Sequence, residues 1–320
     1  MKFVLTTVSA LCLALCARGA GTLIIVTGAA GGTEFGDEFA KQAEAWREAG
    51  KKGGAKVIEV GTGPEKAAPS DSEALRTSLA AEPQSGTEPL WLVFNGHGTW
   101  DGKTARFNLR GPDISAADLA AWLKPLRRPA VIINTGSSSA PFIASLSAQD
   151  RIVITSTRSG SEQNYARFGK YLAASLTDSE ADLDTDGTVS VLEAFLAASR
   201  RTAEFYKTEG RLATEHALID DNGDSMGTPA DWFKGLRAVK KSDKNAAVDG
   251  GAARHVSLIP SASEKTWTAD LIKQRDNIEA RLAALREVKA SMKEDDYYAK
   301  IEPLLLELAR LNEKAAAAQP

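Results

Sequence analysis

The most specific chemical pattern in the sequence is a run of alternating carboxylates in residues 182–193. Asp182, Asp184 and Asp186 stand at the first, third and fifth positions, and Gly187 stands at the sixth, where a sharp turn is required. The other ligands of such a loop would be the carbonyl of Thr188, the hydroxyl of Ser190 and the bidentate carboxylate of Glu193. Calcium prefers an all-oxygen shell, so this spacing, which is that of an EF-hand loop, predicts a calcium site.

Two interpretations of residues 182–193, called the calcium loop below, compete. The first is a calcium site, since amphipathic stretches at 165–176 and 191–205 flank the loop as helices flank an EF-hand. The second is a solvated acidic turn that caps the following helix. We expect calcium. A single unpaired loop outside the cell would bind only near about 10⁻⁴–10⁻³ M, so the ion would be structural.

A shorter segment, Asp220, Asn222 and Asp224, also alternates oxygen ligands. It has no acid at the twelfth position and no clear outgoing helix. Asn-Gly is a common turn dipeptide, and Gly223 follows Asn222 here. A turn is therefore the simpler interpretation, and a second metal site is the weaker alternative.

His97 stands between two glycines, directly after the apolar run at 90–94. In open parallel sheets, ligands gather beyond the carboxyl ends of the strands. The glycines let the backbone bend and leave the imidazole uncovered, so the ring could act as a general base or acid. The alternative is an ordinary turn residue. The sequence offers no obvious side chain to orient the ring.

Three serines follow the next apolar run, at 130–134. Ser137 and Ser138 are candidate nucleophiles, because the ends of adjacent parallel strands would bring them near His97. The competing interpretation is that the serines cap the following helix, since a serine oxygen satisfies free amides there.

The elements that must position these residues alternate along the chain. Helical spacing occurs at 37–49, 72–81 and 116–123, and a hairpin is expected at 105–109. Continuous apolar runs, which indicate buried parallel strands, occupy residues 22–26, 56–60, 90–94, 130–134 and 151–155. Strands alternating with helices predict an α/β fold: a three-layer sandwich with a mainly parallel sheet and helices on both faces.

The C-terminal part has a different character. Residues 242–263 are polar and glycine-rich, which indicates a linker, and residues 315–320 indicate a frayed tail. Two apolar stripes between them predict a helical hairpin or coiled coil over 264–314, docked on the domain or paired with another chain. The stripes are Leu271, Ile278, Leu282 and Leu285, then Ile301, Leu305, Leu308 and Leu311.

Taken in order, these segments resemble the legumain and caspase group of cysteine peptidases (clan CD), and the legumain branch most. The motifs are LIIVTG at 23–28, LVFNGHG at 92–98, VIINTGSSS at 131–139 and VITST at 153–157. The resemblance covers residues 22–235 and implies a caspase-like fold for residues 21–241. It also implies that His97 matches the catalytic histidine, and that Glu162 and Tyr165 lie in the stretch that builds the specificity pocket.

The sequence departs from that family at the nucleophile. Ungapped alignment of residues 134–142 on the family's loop puts Gly136 where the cysteine belongs, so the chain resembles a bacterial-type member that has lost its thiol. Ser137 lies one residue further on. An alcohol is harder to deprotonate than a thiol and needs a well-placed base.

Residues 1–20 have the features of a secretory signal peptide. Lys2 is followed by an apolar run at 3–16 and then by small residues, and the run is shorter than the roughly 20 apolar residues that span a bilayer. A lipoprotein signal ending at Cys16 is the weaker alternative. Both cysteines, Cys12 and Cys16, lie inside this segment. We therefore expect a periplasmic or extracellular mature chain with no thiol, no transmembrane span and no disulfide.

The composition excludes some classes of function but indicates none. The chain has 320 residues, 43% hydrophobic and 25% charged, with a formal net charge of −3. Acids and bases are interspersed, without the clustered basic face that nucleic-acid binding needs.

These observations predict an exported, non-catalytic pseudopeptidase that binds an unidentified protein or peptide, carries a structural calcium ion and associates with itself or a partner through its C-terminal helices. The main alternative is a hydrolase that uses Ser137 or Ser138 with His97. A third is a calcium-dependent envelope scaffold whose domain is purely architectural.

Overall fold

The computed structural model describes residues 21–63, 68–241, 247–261 and 267–317. The predicted signal peptide at 1–20 lies outside the described residues. So do residues 242–246 and 262–263 of the predicted linker, residues 264–266 of the predicted hairpin and residues 318–320 of the predicted tail. Two of these predictions are corrected where the structure describes the chain: Ala253 and Leu258 of the predicted linker are buried in the core of the domain, and Ala315 of the predicted tail is buried in the last helix.

Helices and strands alternate through most of the described chain. The strands are β1 (Thr22–Thr27), β2 (Lys56–Val60), β3 (Leu90–Asn95), β4 (Gly98–Trp100), β5 (Ala105–Phe107), β6 (Ile114–Ser115), β7 (Ala130–Asn134), β8 (Arg151–Thr155), β9 (Leu218–Asp220), β10 (Thr228–Pro229), β11 (Phe233–Lys234) and β12 (Arg237–Ala238). The helices are α1 (Thr33–Gly53), α2 (Asp71–Ala81), α3 (Ala116–Leu123), α4 (Pro141–Leu146), α5 (Phe168–Ser175), α6 (Val191–Thr208), α7 (Ala269–Glu287) and α8 (Glu294–Ala317).

A seven-stranded sheet in the order β10-β9-β8-β7-β3-β1-β2 forms the centre of the fold. Strands β2, β1, β3, β7 and β8 are parallel, and β9 and β10 are antiparallel at one edge. Successive residues of a strand face opposite sides of the sheet, so each apolar run contributes side chains to two cores, one on each face. Leu23 and Ile25 pack with α1, α5 and α6, and Ile24 and Val26 pack with α2, α3 and α4. The predicted three-layer α/β fold is confirmed.

Two local predictions differ from the structure in ways that matter for the site. Helix α1 begins at Thr33 rather than at residue 37, so Phe35 lies inside its first turn. The hairpin expected at 105–109 is part of a three-stranded sheet, β4-β5-β6, because the chain forms a strand as soon as it passes His97.

Helices α7 and α8 form the expected C-terminal hairpin around a core of their own. One stripe residue is corrected: Leu305 is 46% exposed, and Leu304 and Tyr297 lie in the core instead. The steps from Tyr297 to Ile301 to Leu304 are four and three residues, which keeps one face toward α7. Among the described residues, no helix is both long enough and apolar enough to cross a membrane.

One buried ion cluster ties the start of the sheet together. The Glu82 carboxylate accepts from the Thr22 hydroxyl at 2.6 Å and pairs with Lys56 at 2.9 Å and Arg128 at 3.4 Å. The Glu82 and Arg128 side chains are 1% and 5% exposed. These contacts join β1, β2 and the residues before β7.

Glu82→Ala should lower the free energy of unfolding by about 3 kcal/mol, because it leaves the Arg128 guanidinium buried without its carboxylate. Urea denaturation measures the change. Glu44→Ala is the matched control, since the pair that Glu44 makes with Arg47 is exposed and its loss should cost less than about 1 kcal/mol. Equal losses in the two variants would contradict the assignment.

Candidate functional site

The loops that follow β1, β3 and β7 meet at the carboxyl edge of the sheet, as expected for neighbouring parallel strands. The Gly98 amide donates to the Ser137 hydroxyl at 3.2 Å, and that hydroxyl donates to the Gly98 carbonyl at 2.9 Å. The structure therefore brings the predicted histidine loop and the predicted serine loop into direct contact.

The His97 ring is oriented by the backbone. Its Nε2 lies 3.2 Å from the carbonyl oxygen of Ala30. Because a carbonyl only accepts hydrogen bonds, Nε2 carries the proton and Nδ1 of the neutral ring is left as an acceptor. The rings of Phe35, Phe39 and Tyr165 surround the imidazole, with centroids 4.8, 5.0 and 6.0 Å away.

Burial in this aromatic setting lowers the pKa of His97 below 6.5, although the hydrogen bond to Ala30 acts in the opposite direction. The neutral ring is thus favoured near neutral pH. An oriented, neutral imidazole with an acceptor nitrogen has the chemistry that a general base requires.

Gly136 lies against the His97 backbone. A Cβ added to Gly136 would stand 3.3 Å from the carbonyl carbon of His97 and 3.1 Å from Oδ1 of Asn134. The Gly136 amide donates to that same Oδ1 at 3.0 Å, and the Gly136 carbonyl accepts from the Ser156 hydroxyl at 2.5 Å. The position that the resemblance assigns to the nucleophile is therefore beside the histidine and holds only backbone.

The three serines of this loop are buried, and Ser137 and Ser139 have polar neighbours within hydrogen-bond distance. Ser137 is bonded to Gly98, and Ser139 lies 3.2 Å from the hydroxyls of Ser156 and Thr157. The Ser138 hydroxyl is buried and has no hydrogen-bond partner among the described residues.

The interpretation of these serines as helix caps is wrong. The N-cap residue of α4 is Ala140, and no side chain bonds to the first turn of that helix.

Both predicted pocket residues contact the site: Glu162 contacts the serine loop, and the Tyr165 ring lies near His97. The Glu162 carboxylate is 2.6 Å from Nδ1 of His216 and 3.3 Å from Nε of Arg158, and its backbone carbonyl accepts from the Ser138 amide at 2.8 Å. The carboxylate is thus engaged by the protein's own groups, and His216 is one of its partners.

Tyr165 borders a cavity of about 430 Å³, which we call the His97 cleft because Phe35 and Tyr165 in its wall also contact the His97 ring. Phe35, Arg167 and Arg211 also line it. Burial and nearby carboxylates raise the pKa of Tyr165 to about 12, so its hydroxyl stays protonated. The Arg167 guanidinium lies over the Tyr165 ring, 5.5 Å from its centroid. The cleft offers a ligand aromatic walls and groups of both charges, since Glu34 and Glu38 line it as well.

The calcium loop brings three of its six predicted ligands together. One carboxylate oxygen from each of Asp182, Asp184 and Glu193 lies within 4.8 Å of the others. Asp186 instead accepts from the amide and hydroxyl of Thr188, at 2.8 and 2.7 Å.

Glu193 also has a structural role at the end of the loop. It accepts from the amide and hydroxyl of Ser190, both at 2.8 Å, and caps the start of α6. The capping role that the sequence offered as an alternative is therefore present together with the convergence of carboxylates.

The donor set of the loop fits calcium. Burial, and then the negative charges of Asp186, Glu193 and Asp182, raise the pKa of Asp184 to about 6. The loop therefore concentrates carboxylate charge that a divalent cation would neutralise, with the oxygen chemistry that calcium prefers.

The second acidic segment forms a turn. The Asn222 amide group donates to Asp224 at 3.3 Å and to the Ala247 carbonyl at 2.9 Å, and Gly223 has φ 79°. Asp220 accepts from the Gly223 amide at 3.1 Å, and it is fully buried at the end of β9. The turn interpretation describes these contacts without an ion.

We expect His97 to titrate below pH 6.5, since the surrounding rings disfavour the charged form. Because the unfolded chain binds the proton more readily, this group's contribution to stability is present above pH 6.5 and is lost as the pH falls below it. Histidine ring NMR measures the midpoint. Phe35→Ala should move it back toward 6.5, and an unshifted wild-type midpoint would contradict the burial argument.

Comparison with known proteins leaves the family open. No protein-family model and no curated protein matches the chain. Among solved structures, the chain is similar to the initiator caspase Dronc of Drosophila, at 13% identity and a TM-score of 0.41, over 66% of this chain and 83% of that one. It is also similar to caspase-1 from Spodoptera frugiperda, at 12% identity and a TM-score of 0.41, over 64% and 87%. Likeness at this level says nothing about the chemistry of the site, which rests on its own residues.

Proposed function

We propose that this chain is an exported, non-catalytic relative of cysteine peptidases that binds a protein or peptide in its His97 cleft. One observation carries the proposal: Gly136, the position that the resemblance assigns to the nucleophile, lies against the His97 backbone and has no side chain. Nucleophilic catalysis needs a side chain within about 2.6–3.2 Å of the base, and glycine has none.

The geometry argues against the alternative of a hydrolase that uses Ser137 or Ser138 as its nucleophile. The Ser137 hydroxyl both donates to and accepts from the Gly98 backbone, so freeing it would break two hydrogen bonds that hold the histidine loop. The Ser138 hydroxyl is buried and makes no hydrogen bond to His97. A serine hydroxyl needs a base to become a nucleophile, and neither hydroxyl has one.

Binding remains available to the site. The cleft of about 430 Å³ has aromatic walls, which supply contact area, and both arginine and glutamate side chains, which supply orientation. A peptide segment presents both apolar and charged groups at this scale. Export, predicted from residues 1–20, would remove both cysteines and leave the cleft without a thiol.

The calcium loop belongs to the same proposal as a structural element. Asp182, Asp184 and Glu193 would hold the ion, which would supply positive charge where carboxylates converge. The C-terminal helices, which project an apolar surface that includes Tyr298 and Leu306, are proposed as a surface for self-association.

The purified mature protein should cleave no peptide of a diverse library in a manner that depends on His97, because no nucleophile accompanies the base. Mass spectrometry of the products, with His97→Ala as control, measures this. A fluorophosphonate probe should label it no more than Ser137→Ala or Ser138→Ala. His97-dependent cleavage would refute the proposal.

Gly136→Cys should place a thiol beside His97, since the added Cβ meets its nearest neighbours at 3.1–3.3 Å and needs only small shifts. We expect iodoacetamide to alkylate this thiol about tenfold faster at pH 7 than in the Gly136→Cys, His97→Ala double variant, because a neighbouring base favours the thiolate. Equal rates would show that position 136 does not face the imidazole.

Calcium at 10 mM should stabilise the protein by about 1.4 kcal/mol if it binds near 1 mM. Calorimetric heat and the melting shift measure this. Asp184→Asn should abolish both, and it should not destabilise the calcium-free protein, because it removes a charge that its neighbours repel. Asp37→Asn on α1 is the matched control and should retain the response. No heat and no shift in the wild type would remove the calcium site.

A further inference from the structure

A second cavity, of about 300 Å³, lies where the calcium loop meets the C-terminal hairpin formed by α7 and α8. Asp184 and Asp186 line it from the loop, and Glu279 lines it from α7. Arg254 and His255 line it from the stretch between them. The loop and the hairpin therefore face each other across a polar space in which half of the lining side chains can carry charge.

Residues 253–257 are held firmly against the body of the protein. The amide of Val191, the first residue of α6, donates to the Val256 carbonyl at 2.8 Å, and Ser190 and Ser257 form a β-bridge. The Asp221 carboxylate accepts backbone amides of the preceding stretch at 2.7–2.8 Å, from Gly250, Ala252 and Ala253. Arg254 and His255 are thus presented from a fixed position beside the calcium loop.

The contact of this stretch with α7 centres on Glu279. Its carboxylate is 3.2 Å from Nδ1 of His255 and 3.9 Å from Arg254. Burial lowers the pKa of His255 to about 3, so the imidazole is neutral at physiological pH and Arg254 supplies the positive charge. Arg275 on α7 is paired within its own helix, at 3.0 Å from Asp276.

Negative charge on the loop opposes this contact. Burial raises the pKa of Glu279, and the negative charges of Asp276 and Asp186 raise it further, while Arg254 and Arg275 act in the opposite direction. Arg254 also interacts favourably with Asp184. The same guanidinium therefore interacts with both the acidic loop and Glu279, and Asp186 of the loop repels Glu279.

We infer that the calcium loop is the docking surface for the C-terminal hairpin and that a calcium ion bound there strengthens the docking. An ion held by Asp182, Asp184 and Glu193 adds positive charge to the loop opposite Glu279, offsets the charge of the neighbouring Asp186, and leaves Arg254 to pair with Glu279 alone. This inference rests on the proposed calcium site and adds a consequence to it: the ion fixes the position of the helical hairpin.

Hydrogen exchange of the full mature chain tests the inference, with 10 mM calcium chloride against 10 mM magnesium chloride at low ionic strength. We expect calcium to slow exchange in residues 253–257 and 272–282 by roughly fivefold. That is the effect expected when the repulsion between two unit charges, partly screened by solvent, is removed. Raising the salt concentration should reduce the difference, because the coupling is electrostatic.

Two variants separate this mechanism from general stabilisation. Glu279→Gln should still bind calcium in calorimetry but lose most of the exchange response. Glu302→Gln, on the outer side of α8, should keep both. Calcium heat without a change in exchange in the wild type would overturn the inference while leaving the calcium site in place. An unchanged response in Glu279→Gln would overturn it too, and absence of heat would overturn the site itself.

Discussion

The site depends on how closely two loops approach at the carboxyl edge of the sheet. A Cβ on Gly98 would stand 2.2 Å from the carbonyl oxygen of Ser137, so only glycine permits the contact. That approach lets the Ser137 hydroxyl bond to the Gly98 backbone and sets position 136 against His97. The contact that joins the two loops therefore also holds the Ser137 hydroxyl in backbone hydrogen bonds, and the position against the His97 backbone is taken by a residue without a side chain.

The layers of the fold could be predicted because buried parallel strands are continuous apolar runs. Strand β7 has the expected bounds, 130–134, since glycine and proline residues flank it. Details that depend on tertiary packing could not be predicted from the sequence. Phe35 lies in α1 and its ring packs on His97, a contact that no local spacing indicates. Leu305 lies four residues after Ile301, and Leu304 lies three after it, so periodicity alone could not decide which leucine faces α7.

The site was visible in sequence only where its chemistry resides in side chains. His97 and the aspartates of the calcium loop could be found by residue type and spacing. The group that orients His97 could not be found in this way, because it is the backbone carbonyl of Ala30 and every residue carries a carbonyl. The partner of Glu162 was also hidden: His216 is 54 residues away, and only the folded chain brings the two together at 2.6 Å.

The two polar centres of the molecule lie at opposite ends of α6. Its first turn is capped by Glu193 of the calcium loop, and near its last turn Tyr206 donates to Glu215, whose carboxylate also accepts from the first amides of α5 beside the His97 cleft. A helix of 18 residues spans about 27 Å, whereas charges in physiological salt are screened beyond about 8 Å. An ion in the loop therefore cannot tune the imidazole by its field. Its effect must be local, on the repulsion among the carboxylates and on the groups that face them.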